Sequence, residues 1–124
     1  DPMDAVLDEL EERVNAVAKA GVKSTHIVVD PGIGFAKRSE HSLRVLASLD
    51  RLVAWRYPVM VGVSRKRFIG ELSGVSIASE RVHGSVGAAV AAFERGARIF
   101  RVHDVAATRQ ALDVAAAIRA ARVA

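Results

Sequence analysis

No cysteine occurs in the 124 residues. That absence excludes a disulfide scaffold, a thiol nucleophile and any thiolate metal site. Long apolar runs are lacking too: none approaches the ~18 residues that cross a bilayer. The opening Asp1-Pro2-Met3-Asp4 has neither the basic nor the apolar region of a signal peptide, so a cytoplasmic location is the expectation. The first residue is not Met, which fits a processed product or an internal segment. Aromatic residues are scarce and scattered (Phe35, Trp55, Tyr57, Phe68, Phe93, Phe100) and build no stacking platform for bases. Lys and Arg number 18 against 14 Asp and Glu, giving a net charge of +4. The basic residues are spread along the chain, with one cluster at Arg65-Lys66-Arg67. Solvated, Arg-rich helix faces account for them, and neither nucleic acid nor membrane is expected as a partner.

Apolar residues make up 51% and charged residues 26%, enough to bury a core. The length suits one domain, residues 1–124. Met3, Val6, Leu7, Leu10, Val14, Val17 and Ala18 recur at helical spacing, opened by Asp1 and Pro2 and closed by Gly21. An apolar run over residues 26–30 then reads as a strand buried on both faces. Ser39-Glu40 opens a second helix carrying Leu43, Leu46, Leu49 and Val53 and ending before Pro58, and residues 59–63 form the next strand. After a loop with a short helical piece, Val82, Val86, Val90 and Phe93 mark a helix that Gly96 stops. Residues 98–102 form a third strand. Asp104 caps a last helix with Leu112, Ala115 and Ile118 inward.

This alternation predicts an α/β fold: one helix followed by three parallel βα units. The strands start near residues 26, 58 and 98, so each unit has the size found in a (β/α)8 barrel. A complete barrel needs about 250 residues. A part of such a barrel and a part of an open doubly wound sheet both fit.

In either architecture ligands bind at the carboxyl ends of the strands. Each strand here ends in a polar signature: residues 30–37 (Asp-Pro-Gly-Ile-Gly-Phe-Ala-Lys), 62–67 (Gly-Val-Ser-Arg-Lys-Arg) and 101–104 (Arg-Val-His-Asp). Strands in register would bring Asp30, Ser64, Lys66, Arg101 and His103 to one rim. Asp30-Pro31-Gly32 is either a strand-stopping turn or a carboxylate for the paired N–H donors of a heterocycle. Phe35 is either core or a wall for a flat ligand. Lys66 is either part of a solvated cluster or a cation aimed into a cleft. Arg101 and His103 share a strand face, where a charge is costly unless used. His26, His41 and His83 show no ligand spacing. Neither a Gly-x-Gly-x-x-Gly helix opening nor a P-loop is present.

These three signatures, with Ser79-Glu80-Arg81 between them, resemble the last three strand-loop motifs of dihydropteroate synthase. The likeness runs from the family's fifth barrel helix to its C-terminus. It implies the C-terminal part of a TIM barrel. It also implies a transferase of folate synthesis that condenses 6-hydroxymethyl-7,8-dihydropterin pyrophosphate with p-aminobenzoate, and a sulfonamide target. By resemblance, Asp30 binds the pterin's amino-pyrimidine edge, and Lys66 meets the pterin and the aminobenzoate. Phe35 walls the aminobenzoate and Ser64 lies near its carboxylate. Arg101 and His103 hold the pyrophosphate, with Arg101 also beside the pterin. No covalent nucleophile is required. The family's magnesium loop, its Thr/Arg loop and the remaining pterin residues precede the part matched, so Mg2+ has no ligand in this chain and the chain alone is expected to be inactive. A homodimer through residues 82–93 and 112–118 is expected by the same likeness. Two other readings remain: a non-catalytic fragment that acts by association, and a methyltetrahydrofolate-type pterin-binding domain, which holds no pyrophosphate.

Overall fold

A computed structural model describes residues 1–35 and 38–122. Helix α1 (Pro2–Lys19) starts where Asp1 Oδ1 accepts the Met3 N–H at 2.9 Å. It ends with the Gly21 N–H on the Ala18 carbonyl (3.0 Å) and the Val22 N–H on the Val17 carbonyl (3.1 Å). This is the paired closure expected when glycine follows the cap. Helices α2 (Ser39–Ala47) and α3 (Leu49–Val53) follow, then strand β1 (Met60–Val61) and helix α4 (Arg67–Ser73). Helix α5 (Val82–Glu94), strand β2 (Ile99–Phe100) and helix α6 (Val105–Ala120) complete the chain.

The α/β alternation and the parallel pairing are as expected. Met60 pairs with Ile99 and Val61 with Phe100, and Val29 bridges Val59 on the other side of β1, all parallel. Regular pairing is shorter than the apolar runs. Residues 24–26 form a turn of 3₁₀ helix instead of strand, and the first segment touches the sheet only at Val29. A segment with one neighbour has half the backbone partners of a central strand, so its ladder is brief.

The core lies between this sheet and the helices. Ile27, Val29, Val59, Val61 and Val63 are buried against Met3, Val6, Val45, Leu49, Leu52, Phe68, Ile69, Ala89 and Ala92. The opposite sheet face is partly open to solvent. Val28 stays 48% exposed and Ile99 38%, which corrects the expectation of strands buried on both sides. Helix faces also need correction. Ser48 interrupts the second helix, and Val45, Leu49 and Leu52 turn inward while Leu43 is exposed. In α5 the buried residues are Ser85, Ala89, Ala92 and Phe93. Small side chains let its backbone approach the sheet, and Val82, Val86 and Val90 fall on the flank instead. Ile118 in α6 is 69% exposed, not inward.

Leu52→Ala empties a fully buried position and is expected to cost about 2–5 kcal/mol in denaturant unfolding. Leu43→Ala is expected to cost less than about 1 kcal/mol, because solvent already reaches that side chain. Equal losses would mean that the inward faces of α2 and α3 are drawn wrongly.

Candidate functional site

Parallel pairing sends the segments after Val29, β1 and β2 to one edge of the sheet. The Asp30 Oδ1 accepts the Gly32 N–H at 2.8 Å. This local turn ends the segment as the Asp-Pro-Gly sequence suggests, so the turn reading of Asp30 holds. Its second oxygen has no donor among the described residues, so the carboxylate keeps a face for a ligand.

Lys66 reaches from the loop after β1 toward the loop after Asp30. Its Nζ donates to the Ile33 carbonyl and lies 4.5 Å from the centre of the Phe35 ring. Phe35 itself is 62% exposed and not core. Its ring contributes a cation–π contact worth about 0.5–1 kcal/mol at so open a position. The Lys66 stem crosses Gly34, where a Cβ would stand 2.9 Å from Lys66 Cδ. Gly34 also has φ +83°, so a side chain there is excluded twice. Partial burial lowers the Lys66 pKa below the ordinary lysine value; the Arg101 charge lowers it further and the Asp30 charge opposes both. Lys66 therefore lies within electrostatic reach of both Arg101 and Asp30.

Arg101 is tied to β1 by its N–H on the Val61 carbonyl at 3.0 Å. Its guanidinium passes over Gly62, where a Cβ would lie 2.8 Å from Nη2. Strand β2 stops at Phe100, so strand alternation does not extend to His103. The Ser64 hydroxyl places that side chain. Ser64 is buried, its Oγ accepts the His103 N–H at 3.1 Å and lies 2.9 Å from His103 Nδ1. With the backbone proton on the oxygen, the hydroxyl can give its own proton to Nδ1. The neutral ring then carries its proton on Nε2, as a donor for an anion. Ser64, expected at a ligand carboxylate, spends its hydroxyl on His103.

Some contributors were not singled out in the sequence. Gly62 is the floor for Arg101. Asp104 occupies the N-cap of α6 but makes no side-chain cap; its two oxygens take the Arg65 guanidinium instead, Oδ1 from Nη2 at 2.9 Å and Oδ2 from Nε at 3.2 Å. The Arg81 expected within a motif donates to the carbonyls of Val75, Ser76 and Arg65. Gly62 and Asp104 stand within the polar signatures and Arg81 in the motif between them, but nothing in the sequence marked these partners. Ala36 and Lys37, the end of the first signature, lie outside the described residues. Among the described residues no group of three or more His, Asp or Glu side chains could hold a metal ion, and no helix is long and apolar enough to cross a membrane.

Comparison with known proteins gives consistent matches. Residues 1–103 match the family described as pterin binding enzyme. Over 108 residues the chain is 47% identical to the dihydropteroate synthase of Neisseria meningitidis serogroup B, covering 85% of this chain and 38% of that protein. It is 39% identical over 121 residues to inactive dihydropteroate synthase 2 of Mycobacterium leprae, covering 94% and 41%. A solved structure of Xanthomonas albilineans dihydropteroate synthase in complex with 7,8-dihydropteroate superposes at TM-score 0.96 and 44% identity, over 98% of this chain and 47% of that one. The chain thus spans less than half the length of each of these relatives.

The Arg65 hydrogen bond holds the Asp104 carboxyl below the usual aspartate range; partial burial opposes it. A depressed carboxyl pKa adds stability that is complete above the ordinary value of about 3.9 and lost as pH falls through the lowered one. Thermal midpoints of this chain should therefore drop more steeply than those of Asp104→Asn below about pH 4. Parallel curves would show that the pair contributes nothing.

Proposed function

This chain belongs to the family of pterin-binding enzymes, and from that premise we propose that it is the C-terminal part of a dihydropteroate synthase. On this reading its βα units are the last part of a (β/α)8 barrel, with residues 1–124 inside one barrel domain. The open sheet face bearing Val28 and Ile99 would be the barrel interior. The observation that carries the reading is that Asp30, Lys66 and Arg101 follow three parallel-paired segments to one edge of the sheet, Lys66 crossing Gly34 and Arg101 lying over Gly62, at the carboxyl side where barrels bind ligands.

The chemistry follows from the charges. The amine of p-aminobenzoate attacks the pterin methylene, forming a C–N bond while the C–O bond to pyrophosphate breaks. Pyrophosphate leaves with the electron pair, and the amine loses a proton to solvent. Arg101 and the His103 Nε2–H meet the departing anion. Asp30 accepts N–H donors from the pterin's amino-pyrimidine edge and offsets positive charge growing on the ring. Lys66 contacts the pterin and the aminobenzoate, which Phe35 walls; Ser64 lies near the aminobenzoate carboxylate by residue type alone, its hydroxyl being engaged with His103. Groups fixed before the reaction stabilise developing charge without reorganising. The magnesium ligand belongs, on this reading, to other segments of the enzyme, and no step here runs through the ion. A cytoplasmic location completes the reading.

The apolar groove between α5 and α6 supports a homodimer. Val86, Val90, Phe93, Ala111, Val114 and Ile118 line it, and Val114 and Ile118 are more than half exposed. Two copies packing this face together would form a self-complementary interface. Sedimentation should give a dimer that Ile118→Glu converts to monomer. A monomer in both would remove the dimer from the account.

Joining this chain to the preceding portion of the Neisseria meningitidis relative tests the activity. The joined enzyme should release pyrophosphate from the dihydropterin substrate only when p-aminobenzoate is present, and the chain alone should be at least ~100-fold slower, because orientation is lost with the other half of the site. Lys66→Ala or Arg101→Ala in the joined enzyme should cost a further ~100-fold or more. Full turnover in those variants would refute the assigned roles. A joined enzyme without turnover would favour the association reading, which the inactive Mycobacterium leprae relative keeps open.

A further inference from the structure

Arg65 lies between two residues of the site, Ser64 and Lys66, and touches no group assigned to a ligand. Its φ is +60°, in the left-handed region that a residue with a Cβ rarely adopts. Four contacts hold it there. Its N–H donates to Ser85 Oγ at 2.8 Å, and its carbonyl accepts from Arg81 Nη1 at 3.0 Å. Its guanidinium forks onto both oxygens of Asp104. The Ser85 hydroxyl passes its own proton to the Arg81 carbonyl at 2.6 Å. Arg81 is seated in turn over Gly70, where a Cβ would stand 2.5 Å from its Nη2.

The left-handed turn sends neighbouring side chains to different partners. Ser64 goes inward to His103 of the next loop, and Lys66 goes to Ile33 and Phe35 of the previous one. The fork from Arg65 reaches the residue after His103. Arg65 is thus the join between the loop that carries Lys66 and the loop that carries Arg101 and His103. An exposed, isolated ion pair contributes little. This one is half-buried, bidentate and linked to backbone bonds that set a conformation, which gives it a role in geometry.

We propose that Arg65 is a positioning residue for the pterin and pyrophosphate site: anchored by Asp104, Ser85 and Arg81, it fixes Lys66 relative to Arg101 and His103. This rests on the reading of those three residues as the ligand site. The bidentate fork makes lysine a poor substitute.

Three variants of this chain separate the possibilities. Arg65→Gly keeps the left-handed backbone accessible and removes the fork; Arg65→Lys keeps the charge and loses the bidentate geometry; Asp104→Asn removes the ionic partner. Two readouts are followed: the titration of the Lys66 amine by NMR and the affinity for inorganic pyrophosphate by calorimetry. In folded variants the Lys66 titration should rise toward the ordinary lysine value as the amine leaves its half-buried seat near Arg101, and pyrophosphate should bind ~10-fold or more weakly. Arg65→Lys should not restore either quantity. Variants that melt cooperatively with both quantities unchanged overturn the proposal. So does unfolding of all three, which would make Arg65 a scaffold residue only. If the unaltered chain binds no pyrophosphate yet the Lys66 titration still moves in the variants, the positioning role stands and the ligand reading fails.

Discussion

Parallel pairing around β1 is the constraint on which the rest of the molecule depends. The Val29 N–H on the Pro58 carbonyl (3.0 Å), the Met60 N–H on the Val29 carbonyl (2.9 Å) and the Arg101 N–H on the Val61 carbonyl (3.0 Å) lock three distant segments in one direction. Every segment leaving the sheet must then emerge at the same edge. Asp30, Lys66 and Arg101 meet there because the backbone allows no other arrangement once the strands are paired. The helices fill the spaces between strands and bury one face, which fixes the sheet without taking part in the site.

Electrostatics give that edge its character. Two cations stand near one carboxylate, and the amine of Lys66 is already partly stripped of water. On the proposed reading, such a place takes a ligand with an anion at one end and a flat set of N–H donors at the other. The hydrogen bonds around these groups all involve the main chain on one side: the Lys66 amine on the Ile33 carbonyl, the Arg101 N–H on the Val61 carbonyl, and the His103 N–H on the Ser64 hydroxyl. Groups held before a ligand arrives need little reorganisation, which is what a preorganised site requires.

Much of this was legible in the sequence. The cap at Asp1, the closure at Gly21 and the turn at Asp30-Pro31-Gly32 are local chemistry, and local chemistry survives into the fold. The three polar signatures were legible because each follows an apolar run, and parallel pairing of those runs brings their ends to one edge. The face of a helix was harder. Hydrophobic period marks Val82, Val86 and Val90 as a stripe but cannot say that Ala89 and Ala92 pack against the sheet while the valines line an open groove. Partners across loops were invisible. Asp104 carries the local signal of a helix cap, and only the register of β1 against β2 brings Arg65 close enough to take its carboxylate away. Strand length was also overread, since an apolar run records a preference and the ladder itself covers only Met60–Val61 and Ile99–Phe100.

The most direct measurement is a two-dimensional NMR titration of the isotopically labelled chain with 6-hydroxymethyl-7,8-dihydropterin pyrophosphate. Amide signals of residues 30–35, 62–66 and 101–103 should move together along one saturation curve while those of α6 beyond its first turn stay in place. Binding that leaves these three segments still, or that moves only the groove between α5 and α6, would mean that the rim is not the pterin site.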